Sequence, residues 1–441
     1  ALAVAALCGV GAGRALAWLT HPSLEPGLFW AGTGLALAAG PLTVACEALL
    51  CRALGPVREG VIGRWSPAYL RVALKTDLVA RARDVLSGTL FYPTWLRAAG
   101  MKVGRGAEVS TILDVVPELI EIGPDSFFAD GIYLGGPRVF QGTVTLAKVR
   151  LGANTFLGNH VVVPGGQTLP EDVLLGVCTL ADDSRVQPGT GWFGHPPFEL
   201  PRREVVTVDR SLTHAPSFIR YWNRVFWEAL RFTLPVLPAL ALPLWYESLA
   251  WAEAKTGPAA FLLVAVPLAN LAFLAGFALL VLIAKWALLG RVKPGQHALW
   301  SCWCSRWDFH YVMWVVYGRG FLTALEGTLF LTAYLRLMGM DIGHGVVLGP
   351  GFSQVVDPDM LHFEDGVTVS AMFQAHTFED RVLKIDHVHL RKGCSVGHAA
   401  VVLYGADIGA EAVVAPHSVV MKKEHLLPGR AYAGCPTRPE A

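Results

Sequence analysis

The residues best suited to moving a proton lie in one stretch, FQAHTFEDRVLKIDHVHLRKGCSVGHAAVVLYG, at positions 373–405. His376 is followed closely by Glu379 and Asp380. An unperturbed imidazole titrates near neutrality, so it can accept a proton under ordinary conditions. A neighbouring carboxylate fixes the imidazole tautomer and stabilises imidazolium, and Glu379 or Asp380 is expected to do this. The chemistry such a pair serves is acyl transfer. An amine or hydroxyl attacks a thioester, the base takes its proton, and a backbone N–H holds the oxyanion. His398 stands beside Gly397 and is expected to line the groove next to His376. His387 and His389 alternate along one strand face and read as exposed. The separations of 11, 2 and 9 among residues 376, 387, 389 and 398 fit neither a zinc finger nor an HExxH helix. The sequence therefore predicts no metal site.

What positions these residues is a period of six. Leu390, Val396, Val402, Ile408, Val414 and Val420 are evenly spaced, and so are Leu151, Leu157, Val163, Leu169 and Leu175 earlier in the chain. Glycine often follows, as at Gly152, Gly158, Gly176, Gly397 and Gly409. Six matches neither an α-helix nor an alternating strand. It predicts a triangular solenoid of six-residue faces, with the aliphatic side chain inside and the small residue at the corner.

The solenoid is part of a unit that occurs twice. LSGTLFYPTWLRAAGMKVGRG at 86–106 answers LEGTLFLTAYLRLMGMDIGHG at 325–345, 239 positions apart. Upstream, GPVREGVIGRW at 55–65 answers GRVKPGQHALW at 290–300, 235 apart. The copies differ where the chemistry is expected. Asn159 falls opposite His398, and GIYLGGPRVF at 131–140, opposite the His376 segment, has no histidine. The first copy is read as degenerate, with Asn159 helping to wall a shared groove.

Hydrophobic residues make up 53% of the 441, charged residues 16%, and the net charge is +1, which gives no footprint for nucleic acid. The eight cysteines form no CxxC, and Cys302 and Cys304 sit too close for an ordinary metal pair. Free thiols fit a reducing compartment. Apolar stretches at 2–19, about 28–54, about 232–251 and 259–289 approach or reach the length of a membrane span. Arg52, Arg58, Arg64, Arg71 and Lys75 follow the second stretch; Arg202, Arg203, Arg210, Arg220 and Arg224 precede the third; Lys285, Arg291 and Lys293 end or follow the fourth. The short loops within each pair hold one Lys and no Arg. This bias predicts a multi-pass protein of the cell membrane with its soluble regions in the cytoplasm. The chain opens inside an apolar run with no initiator Met, which reads as a piece of a longer protein.

The predicted fold class is mixed membrane and β: two transmembrane helical hairpins alternating with two left-handed β-helix (hexapeptide-repeat) domains. In order these are a truncated hairpin at 1–54, an amphipathic connector at 55–100, a degenerate β-helix at 101–205, a connector and second hairpin at 206–290, a connector at 291–338, and the catalytic β-helix at 339–441.

The second solenoid, closing on AGCPTRP at 433–439, resembles the hexapeptide acyltransferases of the maltose/galactoside acetyltransferase kind. In those enzymes the base occupies the place that His376 takes here. The whole chain resembles the membrane-bound C-terminal region of polylysine-synthetase-type nonribosomal peptide synthetases. That likeness rests on GTLF…LR..GM..G in both copies, on WFGHPPFELPRR at 192–203, and on QAHTFEDRVLK followed by GCSVGHAAVVLYG.

The resemblance implies amide-bond formation without a standard condensation domain. The donor would be an aminoacyl thioester on a carrier-bound phosphopantetheine, with no bound cofactor, and His376 would be the base. The implied partners are adenylation and carrier domains upstream in the same protein, and the lipid bilayer. The implied groove lies between coils, formed either by a homo-oligomer or by an intramolecular pseudo-oligomer of the two copies. Two other functions stay open from sequence: a membrane acetyltransferase using acetyl-CoA on a sugar or lipid, and a catalytically silent membrane scaffold.

Overall fold

The computed structural model describes residues 26–200, 208–379 and 381–440. The apolar stretch at 2–19, Arg202, Arg203 and Asp380 lie outside them. The chain divides into two compact units, residues 41–207 and residues 208–441 with 1–40.

Each unit contains a three-faced coil of short parallel strands. In the second, one face stacks Asp341–Ile342, Leu361–Phe363, Val388–Leu390, Asp407–Ile408 and His425–Leu426. Another stacks Val347–Leu348, Thr368–Val369, Ser395–Val396, Val413–Val414 and Ala431–Ala433, and Met372–Gln374, Val401–Leu403 and Val419–Val420 make the third. Val396 pairs with Val414 and Val402 with Val420, eighteen residues on, so one turn of the prism is three hexads. The six aliphatics of this run are at most 2% exposed, and the five of the first run at most 4%. Burying each contributes about 1.5–3 kcal/mol. Gly397 shows why the corners are small: a Cβ there would lie 2.6 Å from the backbone nitrogen of Pro416 in the next coil. Gly397 is thus required by packing.

One coil in each unit is longer because an arm is inserted. In the first unit, Gly60–Gly63 and Arg138–Phe140 flank Thr143–Leu146 in an antiparallel ribbon. In the second, Gly295–Ala298 and His376–Glu379 flank Val382–Ile385 in the same order. Period-six reasoning does not see this ribbon, because its strands pair antiparallel and stand outside the parallel rungs of the prism.

Helices precede each coil. Pro67–Leu86 does so in the first unit and Cys302–Tyr317 in the second, each capped by a serine side chain, Ser66 and Ser301. Trp307, Tyr311 and Trp314 recur on one face of the second helix and are buried.

Helices occupy Pro26–Ala53 and Val236–Lys255 where apolar segments are expected. Among the described residues, one helix is long and apolar enough to cross a membrane, Pro258–Leu288, with a mean hydropathy of 2.4. Val236–Lys255 is diluted by Glu247, Glu253 and two prolines. The connector helix Phe218–Leu230 inverts the usual surface pattern. Arg224 and Glu228 form a buried 2.6 Å ion pair, while Phe218, Ile219, Trp222 and Phe226 are exposed.

Candidate active site

His376 opens the outer strand of the second arm, partly buried, with its Nδ1 2.9 Å from Oδ2 of Asp357. The expected partners were Glu379 or Asp380. Glu379 instead sits at the far end of the strand, held by Lys384 at 2.5 Å and Lys422 at 2.9 Å and approached by the Tyr404 hydroxyl at 3.3 Å. Two lysines engage its oxygens, so Glu379 belongs to a charge cluster, and the carboxylate in contact with His376 is that of Asp357. Asp380 lies outside the described residues.

Asp357 is completely buried. Its Oδ1 accepts the Trp307 indole N–H at 2.8 Å and a longer 3.4 Å contact from the Tyr311 hydroxyl. Its own backbone N–H donates to the Tyr311 oxygen at 2.6 Å. The same helix grips the loop before Asp357 as well. Trp314 donates to the Ser353 carbonyl at 2.9 Å, and Gln354 donates to the Tyr311 carbonyl at 3.1 Å. Trp307 also stands edge-on to the His376 ring, centroids 5.0 Å apart. A buried carboxylate with three side-chain partners is an anchored acceptor. With Nδ1–H donated to Asp357, the Nε2 of His376 presents its lone pair, and among the described residues nothing in the chain occupies it. This is the geometry of a general base.

Two further groups border the pair. His297, on the other outer strand of the arm, stacks on Trp303 at 3.7 Å. Burial holds its pKa below 6.5, against the pull of the Asp357 charge, so it is neutral at pH 7. Tyr311 is fully buried, and desolvation followed by the nearby Asp357 charge pushes its hydroxyl well above the usual value, so it stays a phenol.

The first copy lacks every part of this arrangement. Continuing the register of its arm by one residue puts Pro137 where His376 stands. Val115-Val116-Pro117-Glu118 answers Val355-Val356-Asp357-Pro358-Asp359, so Asp357 is a one-residue insertion. It is accommodated in the left-handed region at φ 55°, which aspartate tolerates better than most residues. At the 235 offset, Trp307, Tyr311 and Trp314 answer Val72, Thr76 and Val79. Sequence reasoning missed Asp357, Trp307 and Tyr311; comparing the copies helix against helix would have marked the two aromatics.

The other expected site residues lie elsewhere. His398 is on an exposed corner, 3.2 Å from the Ser370 hydroxyl and edge-on to His417, with no contact to His376. Asn159 accepts the Asp130 backbone N–H at 3.0 Å within its own unit. His387 and His389 are joined by His362, and the three place ring nitrogens within 4.8 Å of one another.

No protein-family model matches the chain. Among curated proteins it is 33% identical, over 403 residues, to delta-poly-L-ornithine synthetase of Acinetobacter baumannii. The chain is a homologue of this poly-amino-acid synthetase. The match covers 88% of the chain and about a third (30%) of the synthetase's length. Solved structures similar to parts of it are acetyltransferases. A hexapeptide-repeat acetyltransferase from Vibrio cholerae is 17% identical and covers 28% of this chain and 87% of its own, with a TM-score of 0.23. A serine acetyltransferase from Brucella abortus is 18% identical and covers 45% and 96%, with a TM-score of 0.20. The hexapeptide coil itself is established by the stacked ladders described above.

Proposed function

We propose that this chain is the condensing region of a poly-amino-acid synthetase, an acyltransferase that joins a carrier-bound aminoacyl thioester to an amine. The observation that carries the reading is the His376–Asp357 pair, present in the second unit and replaced throughout in the first. The amine nitrogen attacks the thioester carbonyl carbon and the carbonyl oxygen becomes an oxyanion. The amine proton passes to Nε2 of His376, and Asp357 stabilises the resulting imidazolium. Collapse of the intermediate breaks the C–S bond. The departing thiolate takes the proton back from Nε2, leaving an amide and a free pantetheine thiol. Trp307 and Tyr311 touch no reacting atom and act by holding Asp357.

The donor thioester is expected on a phosphopantetheine arm supplied by adenylation and carrier domains of the same protein. The homologue's name suggests a diamino acid such as ornithine as the first acceptor to try. A membrane location is supported by the exposed apolar helix Pro258–Leu288 and by the outward aromatic face of Phe218–Leu230. In this reading the helices form two hairpins and the coils face the cytoplasm.

The test is to supply the chain, in native-like membranes, with an aminoacyl-pantetheine thioester plus free amine, and separately with acetyl-CoA plus a sugar. Amide product with the first donor, lost in His376→Ala, supports the proposal. Turnover with acetyl-CoA alone would make the protein an acetyltransferase, and turnover with neither donor would make it a scaffold.

A further inference from the structure

A second cluster of functional groups lies at the root of the catalytic arm. His362, on Leu361–Phe363, is the direct cross-coil partner of His389, on Val388–Leu390. Their rings stack with centroids 4.7 Å apart and planes 19° apart. His387 precedes His389 by two residues and so points to the same face of the sheet. Nε2 of His362 lies 2.7 Å from Nδ1 of His387. All three side chains are partly exposed, so the cluster opens to solvent.

We propose that His362, His387 and His389 form a three-histidine site for a divalent transition metal, with zinc as the reference ion and a fourth position open to water. Zinc holds imidazole nitrogens at about 2.0–2.1 Å in a tetrahedron, which needs nitrogens roughly 3.3 Å apart. Ring nitrogens already within 4.8 Å reach that by small side-chain rotations. Nδ1 of His362 lies 3.4 Å from an Asp341 carboxylate oxygen, the outer partner that frees Nε2 for an ion.

The first copy gives an independent reason to read this place as a fastening point. Its three equivalent positions are Glu121, Lys148 and Arg150, with Arg150 directly across from Glu121. Arg150 approaches Glu121 at 3.7 Å, and Lys102 adds a 2.8 Å bond. Opposite charges thus draw adjacent coils together in one copy. Three histidines can do the same in the other once a cation lies between them. The link lands where it has an effect: His387 follows the arm by two residues, and Asp386 between them donates its N–H to the carbonyl of Ala375, next to His376. The ion is a positioning element for the arm and does not touch the reacting atoms.

The experiment uses the full chain in detergent, stripped with chelator and titrated with Zn²⁺ against a chromophoric indicator. We expect about one equivalent bound tightly. A rise in the thermal unfolding midpoint should accompany binding. Cobalt should give the visible bands of a four-coordinate site. His389→Ala should lose the tight equivalent. The triple variant His362→Glu, His387→Lys, His389→Arg imports the first copy's charges; it should fold at a similar midpoint and show no metal-dependent rise. Zinc uptake by wild type no greater than by that variant overturns the proposal, as does tight binding that survives it. Neither readout depends on the condensation activity, so failure here leaves that reading untouched.

Discussion

Trp307 donates its indole N–H to Oδ1 of Asp357 at 2.8 Å while its ring stands edge-on to His376, so one side chain sets the carboxylate and borders the imidazole it holds. Replacing Trp307 with Phe keeps most of the ring and removes the donor. A buried carboxylate that loses one hydrogen bond is destabilised by about 1–3 kcal/mol. We expect a lower unfolding midpoint and a fall in kcat with KM nearly unchanged, because Trp307 touches no substrate. A KM effect of equal size would place Trp307 in the binding groove.

His376→Ala should abolish turnover with the fold intact. Asp357→Asn should lower kcat by about 10²–10⁴-fold, since it keeps the shape but no longer stabilises imidazolium. Glu379→Gln should leave the rate near wild type, because its carboxylate serves Lys384 and Lys422. Single-turnover assays of the three variants check this. A Glu379→Gln loss matching that of Asp357→Asn would reassign the orienting acid.

Burial sets a pH dependence through His297, whose pKa in the folded protein lies below 6.5. The unfolded chain therefore takes up this proton first as pH falls. Stability is full above about 6.5, declines as the pH drops through that value, and levels off below the folded pKa. His297→Gln should flatten this part of the profile, read from unfolding midpoints between pH 8 and 5. An unchanged slope would mean that another group governs it.

The outward face of Phe218–Leu230 predicts attachment to a bilayer surface. Trp222→Glu should weaken binding of the chain to lipid vesicles while leaving the buried Arg224–Glu228 pair and the unfolding midpoint unchanged. Vesicle flotation measures the first and calorimetry the second. Equal flotation of both proteins would remove the helix from the interface.

Asp359 and Lys285 are both fully buried, 2.9 Å apart. Lys285→Met leaves a buried carboxylate without its cation and should destabilise the unit by about 3–5 kcal/mol. Lys285→Met with Asp359→Leu should recover most of that loss. Denaturant titrations in detergent distinguish the two, and equal midpoints for single and double variants would contradict the pairing.

The coil was legible because hexads repeat at fixed spacing and each aliphatic reports its own burial. His376 stood out in the sequence because its segment precedes the clean run. Asp357 was not, for a geometric reason. It lies nineteen residues upstream, reaches His376 only by way of a coil corner and an arm, and owes its register to a one-residue insertion. The copies drift from an offset of 239 at the solenoid entrance to 241 at Pro358, and return to 239 by the arm, so a constant offset hides the insertion. The histidine cluster was obscured in the same way: His362 is 25 residues before His387, a spacing fixed by coil length and by no local motif. The aromatic helix face looked like ordinary core. Only its replacement by Val72, Thr76 and Val79 in the other copy marks it as the support of the buried acid.

A carboxylate on the short turn within the coil, partly buried as Glu118 and fully buried as Asp359, exists in both units, but its counter-ion changes address. In the first unit, Glu118 is neutralised by Lys75 from the helix that follows the apolar segment. In the second, Asp359 is neutralised by Lys285 from the long apolar helix itself. The two units therefore come apart at different places. A gene fragment starting after the apolar segment would carry the first coil with its charge balanced. The matching fragment of the second coil would leave behind the lysine that neutralises Asp359, so the long apolar helix is also an internal component and not a detachable tether.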